Sequence, residues 1–106
     1  MTTVDGVLAA LADPTRRSVL ESLVRDGATT ATVLARRLPV TRQAVGKHLS
    51  VLERAGLVHC QRVGREARYR PDPAPLTDAA AWLADLAREW DTRLARIRAL
   101  AEDPTT

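Results

Sequence analysis

VTRQAVGKHLSVLER, residues 40–54, decides the fold. Val45, Leu49 and Leu52 recur at the helical period and form one inward stripe. Thr41 stands just before the periodic part, where a side-chain hydroxyl can accept from an unpaired N–H of the first turn. Val40 and Val45 flank that cap at the spacing of a hydrophobic staple. Gly56 follows as the stop. Arg42, Gln43, Gly46, Lys47 and Ser50 fall on the other side. Such a polar face suits either bulk solvent or a DNA groove, and the flanking sequence decides between them.

Before this stretch, Thr30 can cap a short helix over residues 31–38, with Val33, Leu34 and Leu38 as its apolar residues and Pro39 as its end. Two short helices joined by a tight turn, the second polar on its outer face, make a helix-turn-helix over residues 30–55. After it, LVHCQRVGREARYR (57–70) roughly alternates apolar and polar residues around Gly64-Arg65, which predicts a β-hairpin. Its Arg62, Arg65 and Arg68 make it a basic wing, suited to the DNA backbone or minor groove.

Farther out, VDGVLAALA (4–12) predicts a short apolar helix, which must pack on something to be stable. Asp13-Pro14 starts the next helix, to Arg25, with Val19, Leu20, Leu23 and Val24 inward. Pro71, Pro73 and Pro75 predict an extended connector. From Leu76 to Ala101 runs a long helix in which Leu83, Leu86, Trp90, Leu94, Ile97 and Leu100 keep close to a seven-residue repeat. At ~39 Å by helical rise it is longer than so small a body can cover, so its excess face predicts a second copy of the chain. The alternative is a terminal helix folded over its own core. The polar tail DPTT is expected to fray.

Composition sets the outer bounds. At 106 residues, 45% hydrophobic and 27% charged, the chain is long enough for one globular domain and too apolar to be disordered. Residues 36–70 hold nine basic and two acidic side chains, so a net charge of +3 divides into +7 there and −4 elsewhere. A localised basic footprint of this kind suits phosphate. No long uncharged apolar run is present, so no membrane partner is expected. The first residues lack the basic start of a signal peptide, so cytoplasmic residence is the expectation. One cysteine, Cys60, fits a reducing compartment.

In LADPTRRSVLESL (11–23), LARRLPVTRQAVGKHLSVLERAGLV (34–58), GREARYRPDPAPL (64–76) and WDTRLARI (90–97), the chain resembles the ArsR family of bacterial winged-helix repressors. The expected fold is therefore mainly helical with a small β-hairpin: a winged helix-turn-helix of five helices and a two-stranded wing, with four helices, two strands and a last helix in order. The resemblance implies a homodimer joined through the first and last helices (4–12 and 76–101), with Val4, Leu8, Leu83, Leu86, Trp90, Leu94 and Ile97 at the interface. It implies repression by covering double-stranded promoter DNA at a two-fold operator. It places base reading on Arg42, Gln43, Gly46, Lys47 and Ser50, where Arg42 suits guanine and Gln43 adenine. Thr41, His48, Arg62, Arg65 and Arg68 become backbone or wing contacts. Gly46 departs from the family, which commonly has a small hydroxyl residue there.

Many relatives sense metals. One family site uses a cysteine pair on the helix before the turn, but TATVLARRL holds neither Cys nor His. Another uses carboxylates and histidines on the terminal helices, and the last helix has Asp85, Glu89 and Asp91 but no histidine. His59 and Cys60 are adjacent on a strand and point to opposite faces. No metal site and no cofactor are expected, and a small-molecule inducer stays open. Cys60 is expected to be a small buried strand residue. No nucleophile–base pair or glycine-rich phosphate loop is visible, so no catalysis is expected. The remaining alternative is a winged-helix adaptor that binds protein without reading DNA.

Overall fold

The computed structural model describes residues 3–102; the fraying expected of the DPTT tail lies outside them. Five helices and three short strands follow one another: α1 (Val4–Ala10), α2 (Pro14–Asp26), β1 (Thr29–Thr30), α3 (Ala31–Arg37), α4 (Arg42–Arg54), β2 (Val58–Val63), β3 (Glu66–Pro71) and α5 (Ala74–Glu102). Hydroxyl and carboxylate caps set most of the helix starts. Thr3 accepts from Gly6 N–H, Asp13 from Arg16, Thr30 from Val33 and Thr41 from Ala44, each satisfying a donor that the first turn leaves unpaired. Gly27 closes α2 in the left-handed region at φ 89°, where any side chain would be strained.

The apolar stripes converge on one core. Val7, Val19, Leu23, Leu34, Val45, Leu49, Leu52, Leu57 and Val58 are its largest fully buried side chains, with Val40, Leu38, Tyr69 and Leu76 packed against it. Both α2 and α3 pack on α4, and α1 packs on α5. The recognition stretch is thus held from behind by two helices, with its polar side left open.

The structure corrects the sequence reading in six places. The first helix stops at Ala10 rather than residue 12, because α2 reaches back to its end. Arg16 Nε donates to Ala10 O at 2.6 Å and Arg17 Nη1 to Leu11 O at 2.7 Å. Val24 is 59% exposed rather than buried. At ~100° per residue it lies on the flank of the Val19–Leu20–Leu23 arc, outside the packed face.

The sheet has three strands, not two. Thr29 pairs with Tyr69 and Thr30 with Arg68, giving the antiparallel order β1-β3-β2. Thr30 therefore ends a strand and caps a helix at once. The three prolines do not form one extended connector. Pro71 closes β3, Pro73 lies in the connector, and Pro75 is buried in the first turn of α5, where its missing N–H breaks no helical bond. Asp72 Oδ1 accepts from Ala74 N–H at 3.0 Å, so α5 starts two residues earlier than expected.

Cys60, finally, is exposed. The strand β2 leaves the core after Val58 and His59, and from Cys60 onward both of its faces are in solvent.

Candidate nucleic-acid interface

Along α4 the side chains divide by angle. Val45, Leu49 and Leu52 have no exposure, Gln43, Lys47 and Ser50 are exposed on the opposite arc, and Arg42 is exposed in the first turn, at the edge next to the buried stripe. Gly46 sits at the margin of that arc, half-buried between Arg42 and Ser50 in angle, and a Cβ there would meet nothing within 4 Å. No packing contact requires glycine at this position. Ser50 Oγ donates to Gly46 O at 3.1 Å, which turns the lone pairs of the hydroxyl outward as acceptors. Thr41 spends one lone pair on its cap and keeps its O–H to donate. His48 lies off the arc, half-buried on the flank toward α2. The carboxylate of Asp13, held below its ordinary value mainly by the Arg16 N–H it accepts, feels His48 as one of the smaller favourable charges. His48 thus faces the Asp13 side of the molecule and does not line the concavity beside the wing.

Arg42 is not free in solvent. Its Nε donates to Thr32 Oγ1 at 3.0 Å, across the turn from α4 to α3. Thr32 escaped the sequence reading because this contact joins residues ten apart on different helices. Between the helix-turn-helix and the wing lies an open concavity of about 570 Å³. Thr32, Arg36, Arg42, Gln43 and Gly46 border it on one side, and Arg65, Glu66, Ala67 and Tyr69 on the other.

The wing divides its arginines. Register pairs Arg62 with Ala67 and Cys60 with Tyr69, so these four share the face that carries the concavity's Ala67 and Tyr69. Arg68, across from Gln61, points to the other face, where its Nε lies 3.6 Å from Glu66 Oε2. The three arginines that the sequence grouped together are therefore not equivalent. Arg65 follows Gly64 at the tip, where φ of 63° makes the tight turn. Tyr69 anchors the wing. It is half-buried, and desolvation first, then its neighbour Cys60, pushes its hydroxyl above the ordinary value. Glu53 fixes the other strand by accepting from Cys60 N–H at 3.3 Å.

A second surface runs along α5. Pro75 and Ala79 are buried and Leu76 packs on the core. At ~100° per residue, Leu83, Leu86, Trp90, Leu94, Ile97, Trp82 and Leu100 continue the same arc, within about 120°. All seven are exposed, Trp90 by 63% and Leu100 by 71%. On α1, Leu8 is exposed and Val4 half-buried. The 74 Å long axis of the molecule reflects how far α5 runs beyond the body. Among the described residues, no group of three or more His, Cys, Asp or Glu side chains comes together as metal ligands. No helix among them is long and apolar enough to cross a membrane.

Comparison with known proteins agrees with this architecture. Residues 11–61 match a family described as a helix-turn-helix domain. The HTH-type transcriptional regulator Rv2034 of Mycobacterium tuberculosis is 43% identical over 90 residues, 85% of this chain and 80% of that one. The transcriptional repressor SdpR of Bacillus subtilis is 28% identical over 91 residues, 86% of this chain and all of that one. Among solved structures, an ArsR-like transcriptional regulator from Rhodococcus sp. RHA1 superposes with a TM-score of 0.83 at 47% identity, covering 94% of this chain and 93% of its own. A capped helix-turn-helix with a basic wing, matched along nearly its whole length by such regulators, is a DNA-binding protein rather than an enzyme. The chain belongs to the ArsR family of winged helix-turn-helix transcriptional regulators.

Proposed function

We propose that the protein is a homodimeric repressor that reads a two-fold promoter operator, each protomer placing α4 in a major groove. The observation that carries this reading is the shared concavity. The exposed arc of α4 and the Ala67–Tyr69 side of the wing border one open space, with Arg36, Arg42 and Arg65 around it. Arg42 and Gln43 are the base readers, Lys47 and Ser50 hold phosphate or a nearby base edge, and Arg62 and Arg65 follow the backbone beyond the groove. A polar, cationic concavity offers little to an apolar protein partner, which disfavours the adaptor reading.

The second copy covers the α5 stripe. A face buried in its first two turns and then exposed for five more leaves an apolar patch unlike that of an ordinary monomer surface. Val4 and Leu8 of α1 flank it. Repression is supported by likeness to a relative named as a repressor. Acting on chromosomal DNA, the protein works in the cytoplasm, and any small-molecule inducer would act by altering the dimer.

Selection of bound fragments from genomic DNA tests the reading. A recovered two-fold sequence whose preference is lost on R42A or Q43A supports it. Recovery of no preferred sequence, or a preference indifferent to both variants, supports the adaptor instead.

A further inference from the structure

We propose that Thr32 is a positioning residue for base reading: through its hydrogen bond to Arg42 Nε it presents the guanidinium end-on to a single guanine. This rests on the reading of Arg42 as a base contact and adds to it a residue that acts through Arg42.

The position of Arg42 calls for such a partner. It is the first residue of α4, where the positive end of the helix disfavours a cation, so helix stability does not account for it. An exposed arginine also samples many rotamers, and that freedom is lost when it binds a base. Thr32 limits it beforehand. Its Oγ1 lies 3.0 Å from Arg42 Nε. The α3 cap is made by Thr30 and not by Thr32, so the Thr32 hydroxyl is available to this contact. Both backbones are rigidly held, because Leu34 of α3 and Val45 of α4 are fully buried in the core that joins the two helices. A β-branched threonine adds little side-chain freedom of its own.

The bond also selects a geometry. A guanidinium can grip a two-acceptor edge side-on, with Nε and one Nη, or end-on, with both Nη groups. With Nε engaged by Thr32, the end-on edge is the one presented to the concavity, which both residues line. Its two parallel N–H groups match guanine O6 and N7. Without Thr32, the same arginine is free to take a phosphate or a neighbouring base.

The test uses the full-length protein and a duplex selected by it from a randomised library. Dissociation constants are measured for that duplex and for every single base-pair change, with wild type, R42A, T32V, T32S and R42A/T32V. R42A should flatten the preference at one position. T32V, which keeps the shape and removes the acceptor, should cut discrimination there by about ten-fold while the other positions keep their ratios. T32S should restore it to within about two-fold, and T32V should add nothing in the R42A background. If R42A flattens a position and T32V leaves it intact, Thr32 is no positioning residue, although Arg42 still reads DNA. An even loss across all positions with an earlier melting transition, reproduced by T32A, assigns Thr32 to fold support and overturns the proposal. If wild type selects no sequence, or R42A flattens no position, the base-reading assignment fails first and takes this proposal with it.

Discussion

His59 Nε2 lies 2.7 Å from Asp72 Oδ2, tying the first long wing strand to the segment that starts α5. The same aspartate accepts from Ala74 N–H, and its own N–H donates to Leu57 O at 2.8 Å. One residue thus joins the end of the recognition unit, the wing and the terminal helix. Its carboxyl sits below its ordinary value of 3.8, first through His59 and then through the Ala74 N–H, with desolvation opposing. A depressed carboxylate contributes stability that is present above its unfolded value and lost as pH falls through its folded value. The difference in thermal stability between wild type and D72N should therefore be full above about pH 5 and should close at lower pH. Melts across that range check it, and a gap independent of pH would refute it.

Gly46 offers a separation of stability from binding. A methyl there meets nothing within 4 Å, and the residue is not at positive φ. G46A should raise stability by about 1 kcal/mol through helix propensity alone. The added methyl projects toward the concavity proposed for DNA, and affinity should stay within about two-fold where the duplex leaves room for it. Denaturant titration and a binding isotherm together check it. A stabilised variant that binds much more weakly would show that the DNA backbone approaches Gly46 closely.

The divided wing predicts unequal arginines. Arg62 and Arg65 should each contribute a phosphate contact, so R62A and R65A should each lower the slope of log affinity against log salt by about 1. Arg68, on the other face and beside Glu66, should change the slope much less. Salt titrations of the three variants on one duplex decide the matter; equal slopes for all three would contradict the facial division.

The α5 stripe predicts the assembly. L94E or W90E should place a charge in the apolar seam and yield monomers by sedimentation. DNA affinity should fall by about 100-fold or more as the second half-site stops contributing. R88E, on the side of α5 opposite the stripe and beside Asp85, should remain dimeric. A wild-type monomer at micromolar concentration would refute the interface.

The caps were legible because capping is local. Asp13, Thr30 and Thr41 each act on an N–H three residues ahead, and helical spacing placed Val45, Leu49 and Leu52 inward without any knowledge of their neighbours. What escaped was nonlocal. Thr29 meets Tyr69, forty positions along the chain, and two threonines carry no signal for so short a strand. Cys60 misled because alternation predicts two faces but not where a strand leaves the core. Pro75 misled because a proline that breaks a helix interior is acceptable in its first turn. On α4, the exposed side holding Gln43, Lys47 and Ser50 was legible from angle alone. The Thr32–Arg42 contact and the opposition of Arg62 to Arg68 depend on helix packing and strand register.

The central claim is a dimer that reads a two-fold site with paired α4 helices. Hydroxyl-radical footprinting of the selected duplex, with stoichiometry measured on the same complex, tests it most directly. Two equivalent protected half-sites, centred about 34–36 Å apart, with two chains per duplex, are the predicted result. One asymmetric footprint with a single chain per duplex would contradict it.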